Sequence, residues 1–247
     1  MINDKTIYDN YHYVSSLRKT EYMMRNSLDL LSGSYKFEFC LVNMTDMERR
    51  LREKELNLLS VLSEKEMDHF HSLKINKNKI QWAAGRYAVK AALFKYKMSE
   101  SSLVNPSCID VLKGRDSAPY ILQYPDLCAS ITHSFPYCIG MVSSNRIGVD
   151  LEKAVVPEPS LIEHFYSRNE KDALKGLKGA EEYAKRAMEY WTRKEAASKV
   201  VRLGMKLNFK RLDTSRDKVV IDNCCIRVKS VVCREFCLSI AFEEKVD

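Results

Sequence analysis

In Arg146-Ile147-Gly148-Val149-Asp150-Leu151-Glu152-Lys153 an apolar side chain stands at every second position from Ile147 to Leu151. A period of two puts Ile147, Val149 and Leu151 on one face of a strand and Gly148, Asp150 and Glu152 on the other. Two carboxylates thus share a face, where they repel unless water screens them or a cation sits between them. Gly148 beside them leaves room for a ligand. The punctuation Ser143-Ser144-Asn145 just upstream separates this strand from what precedes it, so the chain divides into an N-terminal half, residues 1–144, and a C-terminal half, residues 145–247.

Outward from that strand, both halves read as α/β. Downstream, residues 161–175 and 180–202 have helical character, the second ending at Gly204, a residue suited to a left-handed cap. Residues 219–221, 225–232 and 235–242 are β-branched and alternating, as antiparallel strands are. Upstream, residues 1–33 read as an irregular or weakly helical extension, followed by a half-buried strand over 35–42 and a solvated helix over 46–59. Ser63 with Glu66 has the spacing of a capping box. Residues 80–96 form an alanine-rich buried helix interrupted by Gly85, whose cost of about 1 kcal/mol against Ala implies a close neighbour, a backbone or a ligand. Residues 105–127 are loop with short strands, leading through Ser130-Ile131-Thr132-His133-Ser134 to a strand over 137–142.

Length and composition bound the function. A chain of 247 residues, 45% hydrophobic and 30% charged, is an ordinary globular protein with ample core material. No secretory signal and no run of eighteen apolar residues is present, which points to a cytoplasmic protein with no membrane partner. The eight cysteines form no CxxC pair and have no histidines at zinc spacing, so reduced, mostly buried thiols are expected. A net charge of +7 favours polyanionic partners, but no dense basic run with interleaved aromatics marks a nucleic-acid module.

On the long helix, Ala184, Ala187, Met188 and Trp191 form an apolar stripe whose next position is Glu195, with Lys199 one turn on. A carboxylate steered inward meets a cation, either a metal or a basic side chain; a surface Glu–Lys pair at this spacing is the alternative. Three carboxylates with neither histidine nor thiolate suit a hard ion, and magnesium binds through carboxylates together with water and substrate phosphate oxygens.

IGVDLEK (147–153), FYSRNE (165–170) and WTRKEAASK (191–199), in that order, resemble the signature of the 4'-phosphopantetheinyl transferases, and THS at 132–134 resembles the family's SHS turn. The length resembles the two-half, surfactin-synthetase-activator-like type. The resemblance implies a pseudo-dimer of two similar α/β halves with the active site at their interface. It also implies transfer of 4'-phosphopantetheine from coenzyme A to a serine of an apo acyl or peptidyl carrier protein, releasing 3',5'-ADP, by a monomer. By motif position Asp150, Glu152 and Glu195 hold magnesium, Glu195 is the base, and Lys194 and Lys199 neutralise phosphate charge. His133 contacts the coenzyme A 3'-phosphate, Thr132 keeps the hydroxyl of the family serine, and Arg86 lies near the nucleotide phosphates. Glu66 and His69 stand where relatives place phosphate-binding lysines, and Ser117-Ala118-Pro119 lacks the usual glycine-lysine before proline. Phe165, Tyr166 and Glu170 read as a packing element on the carrier-facing side.

Two other readings make different predictions. A carboxylate-magnesium phosphodiester hydrolase cleaves coenzyme A or a nucleotide with no acceptor protein. A basic nucleic-acid module binds with steep salt dependence and ignores magnesium.

Overall fold

The computed structural model describes residues 4–98 and 104–244, with side chains from Leu17 onward. Residues 1–3 and 245–247, the outer ends of the two expected halves, lie outside the described residues. In chain order the elements are α1 (Asp4–Tyr35), β1 (Phe37–Asn43), α2 (Met44–Arg52), α3 (Glu64–Ser72), α4 (Asn76–Tyr96), β2 (Val111–Lys113), β3 (Pro119–Ile121), β4 (Cys128–Ser134) and β5 (Tyr137–Ser143). There follow β6 (Ile147–Lys153), α5 (Pro159–Phe165), α6 (Arg168–Lys175), α7 (Ala180–Val200), β7 (Lys218–Ile221), β8 (Cys224–Cys233) and β9 (Phe236–Glu244). The fold is mixed α/β, as expected, and no described helix is long and apolar enough to cross a membrane.

Two antiparallel sheets, ordered β1-β5-β4 and β6-β9-β8-β7, carry the architecture, with β2-β3 a separate short ribbon. Alternation gives each sheet an apolar inner face. Phe37, Phe39, Leu41, Tyr137, Ile139 and Met141 of the first meet Ile147, Val149, Leu151, Leu238, Ile240 and Phe242 of the second in one core. The outer face of the first sheet is covered by α4, through Ala83, Ala84, Ala88, Val89 and Leu93. That of the second is covered by α7, through Ala196, Ala197 and Val200. Small residues on both helices let backbone approach backbone. The result is four layers, helix, sheet, sheet and helix.

Residues 1–33 were expected to be irregular or weakly helical, yet α1 is a 32-residue helix that closes one side of the shared core. Leu17, Thr20, Met24, Leu28, Leu31 and Tyr35 recur at helical spacing, with Met24 and Leu28 fully buried. The polar residues between them dilute that stripe. The expected helix over 161–175 is broken into α5 and α6, because Ser167 starts a new N-cap: its hydroxyl accepts the Glu170 N–H while Glu170 accepts the Ser167 N–H. The helix expected over 46–59 stops at Arg52.

The two halves bury matching polar networks. In the first, Ser63 and Glu66 form the capping box of α3, Glu66 pairs with the buried Lys90 of α4, and Glu66 accepts the Val111 N–H at 2.8 Å. In the second, Ser167 and Glu170 cap α6, Glu170 pairs with the buried Lys194 of α7 at 2.8 Å, and Glu170 accepts the Thr214 N–H at 2.8 Å. The spacing from acid to lysine is identical in the two halves. Burial lowers the pKa of both lysines, and their carboxylate partners work against that shift. A buried pair of this kind holds helix to helix without exposing either charge.

Candidate active site

The close approach of α7 to β6 builds the site. A Cβ placed on Gly148 would lie 2.0 Å from the carbonyl oxygen of Ala196 and 3.0 Å from Cβ of Lys199. The space beside Gly148 was expected to admit a ligand, but the helix backbone itself fills it. The contact brings Glu195 and Lys199, one turn apart on α7, over Asp150 and Glu152 on the helix-facing side of β6. Gly85 has a milder neighbour, the side chain of Ile131 on β4, 3.2 Å from a Cβ built there.

Lys199 is the hub. Its Nζ donates to Asp150 Oδ1 at 2.8 Å, to the Val149 carbonyl at 2.8 Å and to the Ile131 carbonyl at 3.4 Å, bridging β6 and β4. Asp150 is 6% exposed, and its Oδ2 is buried with no hydrogen-bond partner. Burial, then the charge of Asp150, raises the Glu195 pKa to about 7, with Lys199 opposing. The Glu152 pKa is likewise raised to about 7, by burial first, then by Asp150, with Glu195 adding to the rise. The Glu195 carboxylate accepts no hydrogen bond among the described residues.

The donor set fits a hard divalent cation: three carboxylates without nitrogen or sulfur, one with an orphaned buried oxygen and two whose pKa burial and the Asp150 charge raise to about 7. Among the described residues no three Asp, Glu, His or Cys side chains are gathered closely enough to form a ready-made metal cage.

His133 and Arg86 line one cavity, together with Gln81, Trp82, Gly85, Lys113, Ser117 and Pro119. Ser117 and Pro119 also line the neighbouring cavity over Glu195, Ser198 and Lys199, so the cavity of His133 and Arg86 adjoins that of Glu195. His133 Nε2 lies 2.7 Å from Gln81 Nε2, which donates when the ring proton is on Nδ1. Burial and the Lys199 charge hold the His133 pKa below the usual histidine value. Arg86 lies over the Trp82 ring, 4.1 Å from its centroid, and its buried Nε has no partner. Gln81, Trp82 and Lys113 were not singled out from the sequence; Gln81 and Trp82 open the same QWAAGR run as Arg86, which is the signal that could have found them.

Two expected binding residues are committed to other partners. Lys194 was expected to neutralise phosphate, yet it is fully buried, bonded to Glu170 and to the carbonyls of Phe209 and Leu212 on the far side of α7 from the cavity over Glu195. Thr132 was expected to offer its hydroxyl to coenzyme A, yet its one proton goes to Asp150 Oδ1 and its oxygen receives the Leu151 N–H. Glu66 belongs to the buried network with Lys90, and the His69 ring lies tilted by 38° against Trp82, centroids 4.8 Å apart. Trp191 packs with Phe165 and Phe209.

The first half repeats the frame without the acids. Lys95 of α4 donates to the Phe39 carbonyl of β1 at 3.0 Å, as Lys199 does to Val149. Cys40 and Val42 then stand where Asp150 and Glu152 do, and Ala91 follows Lys90 as Glu195 follows Lys194.

No curated protein matches the chain. Residues 146–234 match the family described as the 4'-phosphopantetheinyl transferase superfamily. Among solved structures, a holo-(acyl-carrier-protein) synthase from Bacillus anthracis in complex with coenzyme A (3',5'-ADP) is 21% identical over 43% of this chain and 91% of its own, with a TM-score of 0.37. The Helicobacter pylori synthase in complex with coenzyme A is 22% identical over 43% and 97%, with a TM-score of 0.34. That of Plasmodium yoelii is 12% identical over 43% and 90%, with a TM-score of 0.36. Through the segment that carries Asp150, Glu152 and Glu195, this chain is similar to the 4'-phosphopantetheinyl transferase superfamily.

Proposed function

We propose that the protein transfers 4'-phosphopantetheine from coenzyme A to a serine of an apo acyl or peptidyl carrier protein, releasing 3',5'-ADP. The observation that carries this reading is the meeting of Asp150 and Glu152 with Glu195 and Lys199, beside a cavity lined by Glu195 and Lys199 that adjoins the one lined by His133 and Arg86. The three carboxylates suit a metal-bound pyrophosphate, and Arg86 with His133 suits the nucleotide phosphates.

Asp150, Glu152 and Glu195 would hold magnesium, which when bound neutralises charge on the coenzyme A pyrophosphate. Lys199 holds Asp150 in place and adds a positive charge beside it. Transfer forms a bond between the carrier serine oxygen and the phosphorus of the pantetheine phosphate, and breaks the bond from that phosphorus to the bridging oxygen, which leaves on 3',5'-ADP. The serine proton goes to Glu195, the carboxylate that accepts no hydrogen bond among the described residues. His133 and Arg86 orient the nucleotide.

The matching networks and strand orders of the two halves support a pseudo-dimer with its boundary near residues 144–145. Both cavities are lined by one chain, which supports action as a monomer. Carrier recognition helices are commonly acidic, which agrees in sign with the +7 charge.

The test is intact-mass analysis of a panel of apo carrier proteins incubated with the protein, coenzyme A and magnesium. A phosphopantetheine mass gain is expected, and Glu195→Gln should slow it at least 100-fold with the fold intact. Cleavage of coenzyme A with no gain on any carrier would favour a hydrolase instead.

A further inference from the structure

The hydroxyls of Ser130, Thr132 and Ser134 do something that the transfer reading leaves unused. These residues alternate along β4, on the same inner face that β1 and β5 fill with apolar side chains. β4 and β6 are edge strands of different sheets and share no backbone ladder. Their edges are joined by side chains instead. The Val149 N–H donates to Ser130 Oγ at 3.1 Å, the Leu151 N–H to Thr132 Oγ1 at 3.0 Å and the Lys153 N–H to Ser134 Oγ at 3.2 Å. Three hydroxyls thus satisfy three N–H groups in step, with the two strands advancing in the same direction.

A hydroxyl that accepts an N–H keeps one proton to give, aimed away from the donor. Thr132 gives it to Asp150 Oδ1 at 3.2 Å, and Ser134 gives it to Glu152 Oε2 at 3.4 Å. Ser130 has no carboxylate to serve. The same strand that seats β6 therefore also fixes the side-chain direction of two of its acids. With Oδ1 of Asp150 held by Thr132 and Lys199, Oδ2 is left as the buried oxygen without a hydrogen-bond partner.

We propose that Thr132 and Ser134 are positioning residues for the cation site, each coupling the seat of β6 to the orientation of one carboxylate, while Ser130 seats the strand alone. The proposal rests on the assignment of Asp150 and Glu152 as metal-holding residues. Outer-layer hydrogen bonds of this kind commonly change metal affinity 10- to 100-fold.

The experiment is direct titration of the protein with manganese as a spin-active stand-in for magnesium, without coenzyme A or carrier, beside amide hydrogen exchange of β6. Thr132→Val and Ser134→Ala should each weaken manganese binding about tenfold, the longer Ser134 contact giving the smaller loss. Thr132→Ser, which keeps the hydroxyl, should stay within about threefold of the wild type. Ser130→Ala should speed exchange at Val149 yet bind manganese as the wild type does. If Ser130→Ala weakens binding as much as Thr132→Val, or if Thr132→Val and Ser134→Ala bind like the wild type, the coupling is overturned. Should Thr132→Val fail to fold, Ser134→Ala and Thr132→Ser still decide between these outcomes. Wild-type protein that binds no manganese would overturn the metal assignment itself, and the positioning role with it.

Discussion

Gly148→Ala tests the central contact of the site. The new methyl carbon would stand 2.0 Å from the Ala196 carbonyl oxygen, where ordinary contact begins at 3.4 Å. The obstacle is helix backbone, which cannot rotate aside, so α7 and β6 must separate by at least about 1 Å. Overpacking of this kind costs about 1–3 kcal/mol. At about 2–4 °C per kcal/mol for a chain of this size, the melting temperature should drop by roughly 2–12 °C. The separation falls between Glu195 and Lys199 on one side and Asp150 and Glu152 on the other, and a 1 Å misplacement costs about 100-fold in rate. The assay is carrier mass gain against time at saturating coenzyme A, with thermal denaturation of the same samples. Gly140→Ala is the control. Its methyl would meet the backbone of Ala88 and Val89, 2.5 Å from the Val89 nitrogen, so it loses comparable stability by pushing on α4 while kcat holds. A Gly148→Ala protein within threefold of the wild-type rate, or a Gly140→Ala protein that loses kcat equally, would refute the reasoning.

Further expectations concern the buried pair, the His133 cavity and pH. Lys194→Met leaves the buried Glu170 carboxylate without its cation and should cost about 3–5 kcal/mol in denaturant unfolding, with kcat unchanged in the fraction that remains folded. His133→Ala should raise KM for coenzyme A about tenfold and leave KM for 3'-dephospho-coenzyme A within about twofold, as expected of one lost charge-assisted contact. Without divalent cations, Glu152 and Glu195 bind protons more tightly folded than unfolded, because both pKa values are raised to about 7. Their contribution to stability is present below their ordinary value of 4.5 and is lost as pH rises towards 7. Thermal denaturation from pH 5 to 8 should show that decline, and magnesium should oppose it increasingly at the upper end. A melting temperature that rises across the range in metal-free buffer would contradict the sign.

Short-range periodicity made part of this molecule legible. The alternation of 147–153 gave the strand and its acidic face, and the stripe ending at Glu195 gave the helix and its inward carboxylate. The capping box at Ser63 and Glu66 is a three-residue pattern and was readable as such. Lys194 was misplaced for a related reason. It adjoins Glu195 in the chain, but one residue turns a helix by about 100°, enough to send one side chain to the cavity and its neighbour to Glu170. The occupant of the space at Gly148 was beyond reach, since a missing Cβ announces a close neighbour without naming it. The hydroxyl alternation on β4 stands plainly in the sequence, whereas its partner is a strand of another sheet, brought there only by the packing of two cores.

Lys95 and Lys199 end on equivalent strand carbonyls, although one half has the three acids and the other has cysteine, valine and alanine in their place. The seat of the lysine is therefore independent of the charges around it. Helix, strand and ammonium form a socket that folds with or without acidic inserts, so gaining or losing chemistry in such a frame takes three side-chain exchanges and no new architecture. The half without carboxylates is a natural blank for the half that has them.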